Sequence, residues 1–178
     1  DNKKSITTRT LTGTRQSGDT LTTGTQNYTV NAGAVSKLVI TLPGQTFTDT
    51  VGNSGTVTNQ ASGIRFPIQI NATDANFNVN TSYTGDKVLV FSGPGVGSAT
   101  PTVLDKNNAE VNYGSNTTIT FSSGTAASVG TTLYKGETIT ITATDGGSYG
   151  NASASLTIDA PNTKIRGGSR IRGGTRIQ

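Results

Sequence analysis

The stretch Glu137 to Ile158 reads E-T-I-T-I-T-A-T-D-G-G-S-Y-G-N-A-S-A-S-L-T-I. Ile139, Ile141 and Ala143 recur at every second position with Thr between them. Ala152, Ala154, Leu156 and Ile158 repeat the alternation with Ser and Thr. Successive side chains of an extended chain point to opposite faces. A period of two with one apolar face therefore predicts half-buried antiparallel strands. The intervening D-G-G-S-Y-G-N is rich in residues that accept positive φ, so the segment predicts a hairpin.

The same alternation runs through much of the chain. S-K-L-V-I-T-L places Leu38, Ile40 and Leu42 on one face and stops at Pro43-Gly44. F-P-I-Q-I-N-A places Phe66, Ile68, Ile70 and Ala72 inward, with Pro67 where a strand start or an edge tolerates it. K-V-L-V-F (87–91) is apolar on both faces and predicts a central strand, and T-T-I-T-F (117–121) turns Ile119 and Phe121 inward. No helical spacing of apolar residues persists beyond a turn or two. Hydrophobic residues make up only 31% of the chain, which suffices where every second strand residue is apolar. Thr, being β-branched, suits the wet face. At least six strands with turn residues between them predict an all-β antiparallel sandwich.

The missing residue types narrow the function. The chain has no Cys, hence no disulfide and no thiolate metal site, and no His, the commonest general base at neutral pH. A Ser or Thr nucleophile would need Lys, Asp or Glu as its base, and no motif gathers them. The expectation is no enzyme activity. No apolar run approaches a membrane span. Low charge, abundant Thr, Ser, Gly and Asn, and a first residue, Asp1, that suggests a processed start predict an extracellular or cell-surface protein.

Charge divides the chain. Residues 31–160 hold five basic against eight acidic side chains, a net of about −3, whereas both ends are basic. Such asymmetry favours end-to-body contact between copies, weakened by salt. Residues 1–30 are Thr-rich with few large aliphatics and read as an extended arm or one added strand. Residues 31–160 read as the sandwich, and 161–178 as a basic, Gly-rich tail. That tail repeats I-R-G-G-[S/T]-R with period six. Six is even, so an extended tail places Ile165, Ile171 and Ile177 on one face and Lys164, Arg166, Arg170, Arg172 and Arg176 on the other. It would span about 45–50 Å. These residues are the candidate assembly segment, docking as an added strand on a neighbouring copy.

Four further signals are weaker. Asp74, Asn76, Asn78 and Asn80 alternate oxygen ligands as in the first half of a calcium loop, but the closing Gly and Glu are missing. The competing expectation is a polar turn and one strand face, with no cofactor. Two R-G-G triplets recur without the aromatics of RNA-binding segments, so nucleic acid is disfavoured as a partner. Asn27, Asn71, Asn80, Asn116 and Asn151 begin N-x-[S/T] sequons, about what so Asn- and Thr-rich a chain carries by chance. An internal echo also links 74–91 to 105–121. Each runs Asp, an Asn cluster, Val-Asn, Tyr, a polar turn, then an apolar strand ending in Phe.

Several segments together carry a family resemblance. They are A-G-A-V-S-K-L-V-I-T-L (32–42), D-A-N (74–76), Y-T-G-D-K-V-L-V-F-S-G-P (83–94), V-N-Y-G (111–114) and L-Y-K-G-E-T-I-T-I-T-A-T-D-G (133–146). Over about 31–160 the chain resembles bacterial Ig-like surface domains. The resemblance implies an Ig-like β-sandwich, a structural or adhesive role and no catalysis. It departs at Asn76-Phe77 and Asn107-Asn108, where a Gly is usual, so those turns are expected to differ. Some such domains join a Lys to an Asn across their sheets, and Lys37 is the candidate donor.

The function expected is an extracellular structural subunit that self-assembles through terminal strands into a filament, stalk or surface layer. Alternatives are a cell-surface adhesin or carbohydrate-binding module, with partners among surface proteins or glycans, and a passive spacer of a longer surface protein. The adhesin would use loops 49–63, 92–101 and 122–130.

Overall fold

A computed structural model describes residues 7–14, 18, 24–146 and 149–161. Among them the chain is all-β. In chain order the strands are β1 (Thr7–Gly13), β2 (Gly24–Val30), β3 (Lys37–Thr41), β4 (Thr46–Thr48), β5 (Gly52–Ser54), β6 (Gln60–Ala61), β7 (Phe66–Thr73) and β8 (Gly85–Ser92). There follow β9 (Thr102–Leu104), β10 (Glu110–Asn112), β11 (Asn116–Phe121), β12 (Thr125–Thr132), β13 (Glu137–Ile139), β14 (Thr142–Asp145), β15 (Asn151–Ala152) and β16 (Leu156–Asp159).

Two sheets make the sandwich, one in the order β10-β9-β12-β7-β3 and one in the order β11-β8-β14-β15. Between them lies one core. Leu38, Ile40 and Leu42 meet Phe66, Ile68, Ile70 and Ala72 from the first sheet, and Leu89, Phe91, Ile119, Phe121 and Ala143 from the second. These are the inward residues that the alternation predicts, and all are buried. Each such side chain contributes about 1.5–3 kcal/mol when fully enclosed. Tyr83 stands edge-on to Phe121 at 4.9 Å, and Phe91 tilts against Tyr113 at 5.8 Å.

The segment 137–158 is a hairpin, as its alternation predicts, but one that changes sheets midway. Its outer half pairs β13 with β16, beside β6, and its inner half pairs β14 with β15, beside β8. At the crossing the register slips. Ser153, not its Ala neighbours, is buried, while Ala152 and Ala154 are exposed. The Ser153 hydroxyl accepts the Ile141 N–H (2.9 Å) and donates to the Ala154 carbonyl (2.7 Å), which satisfies backbone groups that the ladder drops there. Strict alternation through 152–158 therefore holds only from Leu156 onward.

Other expectations need adjustment. K-V-L-V-F is central, between β11 and β14, yet only one face is covered. Leu89 and Phe91 are buried, whereas Val88 is 49% exposed. Pro67 lies in an interior strand, but beyond the last β3 partner, Thr41↔Gln69, so it interrupts no pairing on that side. Segment 122–130, expected as a loop, contains most of β12, which lies between β9 and β7. Its sequence T-A-A-S-V-G-T-T offers little bulk, and a register shift between Ala126 and Val129 breaks its alternation.

Within residues 1–30 the described residues 7–13 and 24–30 form two strands rather than one added strand. β1 and β2 pair antiparallel over seven positions, from Thr7↔Val30 to Gly13↔Gly24, and among the described strands only with each other. Along the shared edge the two runs, equal in length, supply one another's backbone partners.

Candidate functional site

The β1–β2 ribbon is the most unusual surface of the molecule. Leu11 is 67% exposed, and the β2 side chains are exposed from Gly24 to Thr29. Thr10 Oγ1 donates to Asn27 Oδ1 across the pair (2.6 Å). An isolated two-stranded ribbon is marginally stable in water. Its backbone edges are pairing templates.

The sandwich protects its own edge at β3. Asn53, on β5, donates its Nδ2 to the Ile40 carbonyl (2.8 Å) and accepts the Thr41 hydroxyl (2.7 Å). A side chain thus occupies an edge carbonyl that another strand would need. On the opposite sheet, Lys106 N–H donates to the Thr118 carbonyl of the β11 edge (2.8 Å). The remaining outer strands, β10, β15, β13 and β6, are two or three residues long. The ribbon strands, at seven residues each, are the longest at any sheet edge among the described residues.

Asp74, Asn76, Asn78 and Asn80 do not lie along one strand face. Residues 74–78 are a tight turn. Asp74 Oδ1 accepts the N–H groups of Asn76 (2.8 Å) and Asn78 (3.0 Å), and Oδ2 accepts Gly33 N–H (3.0 Å) and Asn78 Nδ2 (2.7 Å). Asn80 Nδ2 donates to the Gly33 carbonyl, and its Oδ1 accepts from Ser82. The Asp74 carboxylate thus accepts four N–H bonds and Asn80 Oδ1 accepts from Ser82, and a cation at either would have to displace those donors. Burial pushes the Asp74 pKa up, but the bonds from Asn78, Gly33 and Asn76 together outweigh it and hold the carboxyl below its usual range. Among the described residues no three His, Cys, Asp or Glu side chains gather as a metal site.

The internal echo has a structural counterpart. Asp105 Oδ1 accepts the N–H groups of Asn107 and Ala109, both at 2.8 Å, and Asp105 N–H donates to Ala109 O, as Asp74 N–H does to Asn78 O. Phe77 and Asn108 occupy the same place in the two turns, each at φ 62°. The two turns thus share one geometry, with a non-Gly residue at the left-handed position in each. The Asp side chain holds a left-handed residue that is not Gly.

The other candidates fall in scattered places. Lys37 Nζ donates to the Ala75 carbonyl (3.1 Å) and stands 4.1 Å over the Phe77 ring. Asn71 and Thr73 of one sequon are buried in β7. Of the two aromatics flanking the proposed glycan loops, Phe91 is wholly buried and Phe47 is half-buried in β4. A groove of about 170 Å³ beside β12 is lined by Leu104, Lys106, Asn108, Thr120 and Ser128, with no aromatic platform. Among the described residues, the ion pairs Arg65–Glu110 and Lys106–Asp86 are exposed on both sides and contribute little, whereas in Lys135–Glu137 the carboxylate is the better buried partner and also accepts the Gly95 N–H. The tail residues Ile165, Arg166, Arg170, Ile171, Arg172, Arg176 and Ile177 lie outside the described residues. No helix among the described residues is long and apolar enough to cross a membrane.

No family model and no curated protein matches the chain. Among solved structures it is similar to part of a glycosyl hydrolase family 2 member from Bacteroides cellulosilyticus DSM 14838. The identity is 14% over 75% of this chain and 16% of that one, with a TM-score of 0.41. A structure from microfluidic crystals of a family 2 member from Bacteroides cellulosilyticus gives 18% identity, 78% and 16% coverage and a TM-score of 0.43. The chain spans about a sixth of those enzymes, and likeness at this level carries nothing about activity.

Proposed function

We propose that this chain is an extracellular structural subunit, an Ig-like sandwich that polymerises through its terminal arms and performs no catalysis. The observation that carries the proposal is the β1–β2 ribbon. It presents two seven-residue strands outside the sandwich, paired among the described strands only with each other, with side chains exposed along β2. Ribbons of this kind gain from a partner what they lack alone. The sandwich, by contrast, blocks its β3 edge with Asn53 and keeps several outer strands very short, as proteins do that must not pair at random. Contact is thereby left to the arms. The sequence of the tail supplies a second arm, with five basic residues and no acid, opposite in charge to a body of net about −3.

Deleting 162–178 is expected to abolish assemblies larger than a dimer while the thermal unfolding midpoint of the sandwich stays unchanged. Sedimentation velocity and circular dichroism on the same sample check both halves. Polymers of unchanged size in the deleted chain would refute the role of the tail.

A further inference from the structure

We infer that the outer edge of β2 is the surface on which a second copy of this chain docks, strand β2 against strand β2, related by a two-fold axis through Asn27. The inference takes its occupant, a second copy, from the assembly reading above and makes one of the two arms specific. In the ribbon β2 has β1 on one side, and no other described strand pairs with it.

Composition separates the two ribbon edges. Edge strands that must stay unpaired carry Lys, Arg, Pro or a bulge. β1 contains Arg9, whereas β2 reads G-T-Q-N-Y-T-V, with no charge and no proline. Its ladder with β1 runs seven positions without a register break. An uncharged, regular edge of this length is the feature that protected sandwiches avoid.

Self-pairing also suits this sequence. Full antiparallel overlap of a seven-residue strand with its own copy centres on its middle residue, Asn27. Gln26 then faces Tyr28 of the second copy, Thr25 faces Thr29, and Gly24 faces Val30. No like charges meet in that register, so nothing opposes it. The product is a continuous four-stranded sheet, β1-β2-β2-β1, with two sandwiches hanging from its ends. An isologous contact of this kind closes on itself and yields only a pair. Growth into a polymer then needs a second, different contact, which is the part assigned to the tail. Seven residues of edge pairing bury less than the roughly 1,000 Å² of a stable interface. The link is weak alone and strengthens when the tail holds two copies together.

Absence of cysteine from the chain makes the test clean. Single substitutions Asn27→Cys, Gln26→Cys, Tyr28→Cys and Thr10→Cys are introduced into the full chain and mildly oxidised, and dimers are followed on non-reducing gels. Opposed Cβ atoms in such a pair lie about 4.5–5.5 Å apart, close to disulfide range. Thr10, directly across the ribbon from Asn27, would stand about 14 Å from its counterpart, three strand spacings away. Expected is self-coupling of Asn27→Cys about ten times faster than that of Thr10→Cys, because pairing raises the local thiol concentration. A mixture of Gln26→Cys and Tyr28→Cys should couple faster than either alone.

No coupling, or equal coupling at every position, overturns the inference. Sedimentation of the same samples separates the two ideas. Polymers without Asn27 coupling leave the assembly reading intact through another contact. Asn27 coupling with nothing larger than a dimer keeps the edge pairing and removes the polymer.

Discussion

Asp74→Ala is expected to lower unfolding stability by about 3 kcal/mol, and Asp74→Asn by about 2, measured by urea denaturation at neutral pH. The carboxylate is buried and holds three backbone N–H groups and the Asn78 amide. Two of those donors close the 74–78 turn. The third, Gly33, ties the chain entering β3 to the loop leaving β7. Alanine leaves all four donors without their acceptor. Asparagine keeps one oxygen but turns an NH₂ group toward N–H donors.

The same site fixes a pH dependence. The folded carboxyl titrates below its ordinary value, so its contribution is fully present above about pH 4 and is lost as pH falls through the folded value. Stability of the unsubstituted chain should decline on acidification below about pH 4, and Asp74→Ala should lose the Asp74 part of that decline. Equal acid sensitivity in the two proteins would show that the turn does not depend on the ionised form.

Gly93→Ala should be as damaging or more, costing about 3 kcal/mol or beyond and leaving little folded protein. Gly93 closes β8 at φ 121°, a conformation that side chains rarely adopt, and an added Cβ would lie 1.9 Å from the Thr140 carbonyl oxygen. Thr140 is part of the crossing where the 137–158 hairpin leaves one sheet for the other. The clash is with backbone, so no rotamer change relieves it. Gly63→Ala is the comparison. Gly63 has φ 78° but open space around its Cβ position, so only the conformational penalty of about 1–2 kcal/mol remains. Similar losses at both positions would mean that the crossing yields more easily than its packing implies.

The core was legible in the sequence wherever bulky residues alternate. Leu38 to Leu42, Phe66 to Ala72, and Ile119 with Phe121 face inward as their spacing dictates. Alternation says nothing where the inward residues are small. β12 is built on Ala126, Val129 and Thr131, with a register shift inside it, and its sequence reads as a loop. Ser153 was hidden for a related reason. A polar residue is buried there because the ladder breaks and its hydroxyl replaces the missing partner. Asp74 shows the limit for sites. Alternating oxygens suggest a cation, and only the fold reveals that N–H donors already fill the Asp74 carboxylate. The ribbon lay beyond reach because pairing between two Thr-rich runs follows from their mutual register, which neither run encodes alone.

Self-assembly is tested most directly by sedimentation velocity of the full chain across a hundredfold range of concentration at low and at high salt. The account predicts a boundary that shifts past the dimer as concentration rises and that retreats when salt screens the basic ends from the acidic body. A single monomer boundary at every concentration and salt would contradict it.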